Sequence, residues 1–416
     1  MYNMGRRRKE TPAWVTIIRI ILALVFIVSG FLKAVDPWGT AIQLDEYFTA
    51  FHMEWLSGAR YVLSILQSGF EMWLGLLLLL NQMRWFSRFF VMLFMIFFTI
   101  LTLIIALTNP VSDCGCFGEA IKLTNWETFF KNVVLLPMSI LLFAHTRLEL
   151  TTTHPRHLAI VASLILSFLP GLAAMNSLPR IDFLPYKVGT NIAGKMTVAP
   201  ELQGESKTTV IYRNRETGIE QEFEVSDTTW YDGERWEFVD TRTVVLSEGV
   251  QPEITNFVIF DRQQDVTYDL LMEEEVFLLV ADRLEDVSEK AAARFGRTAR
   301  FAQDHGIEVV CLTTSSLDGA ARFQQQTGVD IPCYNIDATT LKTMLRAHNG
   351  LIILERGTIL AKKNLRQVPD FEKKEYDSGL HYVIENQRKN GERIFVIVYI
   401  VLILGLLLGK CNRYKN

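Results

Sequence analysis

Cysteine is scarce in this chain: five residues in 416, at Cys114, Cys116, Cys311, Cys333 and Cys411. That is too few for a disulfide-stapled scaffold, and any pairing leaves one over. A basic balance is missing from residues 176–393, which hold 36 acidic and 26 basic side chains, net −10. Nucleic acid is thereby excluded as a partner, since phosphate binding needs gathered Lys and Arg. Long apolar runs are also missing from that stretch, whereas they crowd residues 14–175 and recur at 394–408. The remainder of the chain holds 10 acidic and 16 basic side chains, net +6. The sequence describes a membrane protein carrying a soluble part.

Membrane spans are expected at residues 14–32, 61–80, 85–107, 126–143, 158–175 and 394–408. The first follows a basic start like that of a signal peptide, but it lacks a small-x-small cleavage site and reads as a retained helix. Thr124 and Glu127 have capping-box spacing at the start of the fourth span, and Pro137 is placed to kink it. Placing the N-terminus in the cytoplasm puts eleven basic residues of the short loops inside and only Lys33, Arg60 and Lys122 outside. The expected location is the cell inner membrane, multi-pass, with both termini cytoplasmic and residues 176–393 periplasmic. Residues 39–56 carry Leu44, Tyr47, Phe48, Phe51 and Trp55 at helical spacing, as an interfacial helix or a lid on the bundle.

The chemistry concentrates in Ser112-Asp113-Cys114-Gly115-Cys116-Phe117-Gly118, on the outer side of the expected topology, where disulfides persist. A ring closed between cysteines one residue apart is strained, and strained disulfides are the exchangeable ones. Redox exchange is the leading reading of Cys114 and Cys116. Incidental thiols or a soft-metal pair remain open, although a metal site needs more ligands than this loop offers. Asp113 would repel a neighbouring thiolate, and Gly115 and Gly118 allow a tight turn. Glu71 falls near mid-membrane and needs a partner from Arg19, Lys33 or Lys131. It is either half of a structural ion pair or a proton relay or quinone contact beside the thiols.

Ser29-Gly30-Phe31-Leu32-Lys33, Glu71 and the Cys114/Cys116 loop together make residues 10–150 resemble the DoxX/MauE superfamily. The loop, with Lys131-Asn132 after it, is similar to the MauE branch, the methylamine utilisation membrane proteins. The resemblance implies a helical inner-membrane protein that helps mature a disulfide-rich periplasmic enzyme beside a thioredoxin-like partner. It implies that Cys114 and Cys116 are the redox pair, while nothing in the sequence recognises an amine.

Beyond residue 175, short strands are expected at 208–213, 221–225, 230–238 and 243–246. From 255 onward the pattern alternates, with strands at 276–280, 307–312, 330–336, 351–354 and 358–362 and helices at 289–305, 317–326 and 339–348. Such alternation ending in a hairpin indicates an α/β sheet. Its order resembles a thioredoxin-like domain of the TlpA or MauD kind. That family's Cys-x-x-Cys position reads Ala281-Asp282-Arg283-Leu284 here, and Asn349-Gly350 stands at its cis-proline. The domain is therefore not expected to be an oxidoreductase by itself. Cys311 and Cys333 fall on neighbouring strands, either bonded or packed as small hydrophobes.

The fold expected is an all-α polytopic bundle with an α/β thioredoxin-like outer domain behind a small β-rich segment. Its divisions are a DoxX/MauE-like domain at 1–150, a fifth span at 151–178, the β-rich segment at 179–253, the thioredoxin-like domain at 254–390 and a last span with its tail at 391–416. The expected function is thiol–disulfide redox or maturation of envelope proteins, with an envelope protein as client. The rivals are a non-catalytic scaffold whose outer domain is a binding module, and a quinone-linked oxidoreductase centred on Glu71. No metal is expected, and quinone is the one cofactor considered.

Overall fold

The computed structural model describes residues 12–111, 115–121, 123–146, 154–174, 178–179, 181–198, 206–215, 217–224, 235–245, 252–262, 264–315, 319–369, 371 and 398–403. Within them, five helices are long and apolar enough to cross a membrane. The protein is a multi-pass membrane protein. Helix α1 (Ala13–Val35) packs against α3 (Arg60–Leu80), and α4 (Arg84–Thr108) against α5 (Asn125–Ala144), with α6 (His154–Ala174) beside α3. Residues 398–403 are helical, and the rest of the expected sixth span lies outside the described residues.

Small residues set the spacing of α1 and α3. A Cβ on Gly30 would lie 2.5 Å from the Met72 backbone nitrogen, and one on Gly75 would lie 2.7 Å from that of Ile27. Apolar side chains gain little by leaving lipid, so such close backbone approach and its dispersion contacts hold membrane helices together. Arginines close the helix ends. Arg19 donates to the carbonyls of Leu78 and Leu79 at 2.5 and 2.9 Å, and buried Arg88 donates to Leu142 and His145 oxygens at 3.4 and 3.5 Å. Both satisfy carbonyls that a helix C-terminus leaves without a partner. Asn81 and Asn109 end α3 and α4 in the left-handed conformation. The Thr124/Glu127 capping box forms as the spacing predicts, and Pro137 lies inside α5.

Helix α2 (Pro37–Ala50) packs on the bundle against α3. Ser64 Oγ donates to the Pro37 carbonyl at 3.0 Å, Arg60 pairs with Asp45 at 2.7 Å, and Phe48 is buried. Asp36 caps α2 through the Gly39 amide, with Pro37 at the first position, where its missing N–H costs nothing.

Outside the bundle, strands β1 (Ser206–Asn214), β2 (Glu220–Glu224) and β3 (Trp236–Val245) form an antiparallel sheet in the order β2-β1-β3. The sequence divides β3 in two at its polar centre, but one continuous strand forms. Its ladder against β1 absorbs Val239 as an extra residue, with Asp240 opposite Ile211 and Phe238 opposite Tyr212.

A seven-stranded mixed sheet follows, with β4 (Ile259–Asp261), β5 (Gln264–Asp265), β6 (Glu275–Ala281), β7 (Glu308–Thr313), β8 (Cys333–Ile336), β9 (Asn349–Glu355) and β10 (Thr358–Asn364). Its order is β10-β9-β6-β7-β8-β4-β5, with β6, β7 and β8 parallel and β9 antiparallel to β6. Both faces are covered, so β6 reads as an unbroken apolar run. Phe277 and Leu279 face Phe295 and Ala299 of α9 (Glu289–Asp304) and Phe323 of α10 (Ala320–Thr327). Val276, Leu278 and Val280 face Ile192 of α7 (Ile192–Met196), Leu270 of α8 (Thr267–Met272) and Leu341 and Met344 of α11 (Ala338–Met344). Strands β4 and β5, three and two residues long at one end of the sheet, are not foreseen by pattern.

Candidate functional site

The polar residues of the bundle meet at the C-terminal end of α1. Lys33 Nζ donates to Glu71 Oε2 at 2.7 Å and to Ser29 Oγ at 3.3 Å, and both charged side chains are almost wholly buried. Of the three cations that the sequence offers Glu71, the close crossing of α1 on α3 selects Lys33. Arg19 is committed to the end of α3, while Lys131 Nζ lies 4.5 Å from the centre of the Phe117 ring. The Lys33 ammonium also stands 5.8 Å from the centre of the Phe98 ring, a geometry that favours the cation.

The cysteine loop closes over this pair. Ser29 Oγ donates to the Cys116 carbonyl, and the Gly118 amide to that of Gly115 at 3.0 Å. Gly115 and Gly118 take φ of 55° and 56°, the left-handed turn that glycine adopts without strain. Partly buried Cys116 lines a cavity of about 30 Å3 together with Ser29, Lys33, Glu71, Lys131 and Asn132. That space suits about one water, which needs polar partners such as these. Asn132 is anchored by a 3.1 Å bond to Thr102 Oγ1. Asp113 and Cys114 lie outside the described residues, so of the four expected site residues the structure brings together Cys116 and Glu71. Ser29 and Asn132 are site residues with no role assigned from sequence. A polar residue one helical turn before Lys33 is the signal that marks Ser29.

The same end of the bundle meets the α/β domain. Arg346 Nε bonds Asp36 Oδ2 at 3.1 Å with both side chains nearly buried, and the Trp38 ring meets the His348 ring edge-on at 4.7 Å. His348 Nδ1 lies 3.3 Å from Asp282 Oδ2, and this bond holds the Asp282 carboxyl below the usual carboxylate range. Asp282 belongs to the four-residue stretch expected at the Cys-x-x-Cys position. That position holds no thiol and is joined through His348 to the membrane domain. None of Asp36, Trp38, Arg346 and His348 stands out in the sequence, because the partners are some three hundred residues apart.

Cys311 and Cys333 lie opposite each other on β7 and β8 as free, buried thiols. The hydrogen bond with Cys333 and complete burial push the Cys311 thiol up, away from the reactive thiolate. Among the described residues no group of His, Cys, Asp or Glu could hold a metal ion.

No curated protein matches this chain. Residues 11–145 match the family model described as methylamine utilisation protein MauE. That stretch takes in α1 to α5, the Lys33–Glu71 pair and the cysteine loop. The N-terminal part of this multi-pass membrane protein is therefore similar to the MauE family.

Proposed function

We propose that this protein exchanges disulfides with envelope proteins through Cys114 and Cys116, while the outer α/β domain positions the client. The observation that carries the reading is the shared cavity of Cys116, Lys33, Glu71 and Lys131. Lys33 and Lys131 stand beside Cys116 in that cavity, and positive surroundings favour the thiolate, the nucleophile of exchange. The thiolate of one loop cysteine attacks a sulfur of the client disulfide, whose bond breaks. The second loop thiol then attacks the mixed disulfide and releases the client dithiol. Two protons pass from loop to client, and the reverse reaction remakes the same bonds in the opposite order.

The outer sheet, with parallel β6, β7 and β8 beside the β9–β10 hairpin, supports reading this part as a thioredoxin-like domain whose redox position has become a docking contact. Fusion to the membrane domain raises the effective concentration of each for the other. The bias of eleven inner against three outer basic residues supports an outward-facing loop. The family's description supports a task in maturing proteins for methylamine utilisation.

The test is capture of the client. Cys114→Ser and Cys116→Ser each leave one loop thiol, and one of them should accumulate a reductant-sensitive adduct with an envelope protein. The double variant should show none, and adducts in none of the three would sink the proposal.

A second reading has a specific observation in its favour. An apolar cavity of about 550 Å3 between α2 and α4 is lined by Phe94 and Phe98, which also wall the Glu71 cavity. A quinone there would take two electrons and two protons as the loop dithiol closes to a disulfide. Glu71→Gln should then slow quinone reduction by the purified protein, and an unchanged rate would exclude the reading.

A further inference from the structure

Helix α2 touches the α/β domain and the cysteine loop with one face, on which Gly39 and Gln43 lie a turn apart. At Gly39 the Arg346 guanidinium rests on the helix: a Cβ there would lie 3.2 Å from Arg346 Nη2 and 2.5 Å from Asp36 Oδ2. At Gln43 the side-chain amide rests on the turn between the two loop cysteines. A Cβ on Gly115 would lie 1.5 Å from Gln43 Oε1 and 1.9 Å from its Nε2. Glycine is thus required at 115 twice, by a φ of 55° and by the amide that covers it. The short turn Gly118–Ala120 at the end of the loop also contacts α2. Along the helix axis the Gly39 and Gln43 positions are about 6 Å apart.

The bundle holds α2 lightly. Of its fourteen residues Pro37, Thr40, Ala41 and Phe48 are buried, and bonds at Pro37 and Asp45 join it to α3. An element with few buried apolar contacts shifts at low cost, so further contacts decide where it sits. The α/β domain supplies two at its N-terminal end, the Asp36–Arg346 pair and the Trp38–His348 ring contact. We propose that Gln43 is a positioning residue for the Cys114-Gly115-Cys116 turn, and that α2 carries the hold of the α/β domain to that turn. The inference rests on the exchange reading for its purpose, since the domain that positions the client would then set the reactivity of the thiols. Held by Gln43, the turn keeps Cys116 in the cavity with Lys33 and Lys131, whose charges favour the thiolate. Released, Cys116 leaves that field and gains access to solvent.

The experiment uses the full chain carrying Cys114→Ser, purified in neutral detergent, and follows alkylation of the Cys116 peptide by iodoacetamide across the pH range of thiol ionisation. Gln43→Ala keeps a strong helix former in α2. It should move the midpoint of the profile upward and raise the limiting rate at high pH by about threefold or more. Arg346→Gln should move the midpoint in the same direction. Adding it to Gln43→Ala should change nothing further, because the link to the turn is then already cut. A cooperative unfolding transition certifies each variant, and His348→Ala, whose side chain is largely exposed, replaces Arg346→Gln if that one unfolds. A profile unmoved by Gln43→Ala would overturn the positioning. A profile unmoved by the change in the α/β domain, or effects that add in full, would overturn the transmission through α2. A shifted profile in a protein that captures no client would sink the exchange reading and keep the positioning of the turn, so the two fail separately.

Discussion

Replacing Glu71 with glutamine removes one charge from a pair whose side chains are 6% and 8% exposed inside the bundle. Breaking a buried pair on one side costs about 3–5 kcal/mol, because the remaining charge stays desolvated. The two single substitutions should differ. After Glu71→Gln, the Lys33 ammonium keeps Ser29 Oγ at 3.3 Å and the face of Phe98, so the loss should sit near about 3 kcal/mol. After Lys33→Met, Glu71 loses its one hydrogen-bond partner among the described residues, and the loss should approach about 5 kcal/mol. The double variant Lys33→Met/Glu71→Leu replaces both charges with apolar groups and should return to within about 1 kcal/mol of the parent. Equilibrium unfolding in mixed micelles measures all three. Single substitutions that each cost under about 1 kcal/mol, or a double variant as damaged as their sum, would refute the buried-pair account.

Other perturbations probe the framework around the site. Gly75→Val places a side chain against the α1 backbone at Ile27 and should cost about 1–3 kcal/mol in the same assay, whereas no loss would mean that α1 and α3 do not cross there. Asp36→Ala strips Arg346 of its carboxylate and should destabilise by about 3 kcal/mol, moderated by the 3.1 Å bond that Arg346 keeps to the Lys342 carbonyl. A neutral result would remove that contact from the inter-domain joint. Asp282 has a depressed folded-state pKa, so its contribution is present above the ordinary aspartate range and is lost as pH falls through the lower folded value. The melting temperature of the parent should therefore fall more steeply than that of Asp282→Asn below about pH 4, and parallel curves would contradict the His348 bond.

The spans are legible because each is an apolar run of about twenty residues, and no other element of a membrane protein reads that plainly. The capping box at Thr124 is legible because its two residues lie three apart and their geometry is local. The partner of Glu71 is not, since three cations have the right charge. The choice depends on how closely α1 meets α3, which Gly30 and Gly75 set in three dimensions. Strand β3 is broken at its polar centre in sequence because an antiparallel strand with one solvated face looks like two short ones around a turn. Asp36 and Arg346 carry no local signal at all. An acidic N-cap and a lone arginine after a short helix are ordinary until the fold sets them 3.1 Å apart.

The central claim concerns the loop thiols, and their redox state in intact membranes tests it directly. Free thiols are trapped with an alkylating mass tag before and after a mild reductant, with Cys114→Ser/Cys116→Ser as the reference. An exchangeable pair takes up no tag on Cys114 and Cys116 at first and two tags after the reductant. Thiols tagged equally in both conditions would contradict the claim and leave the protein as a membrane scaffold.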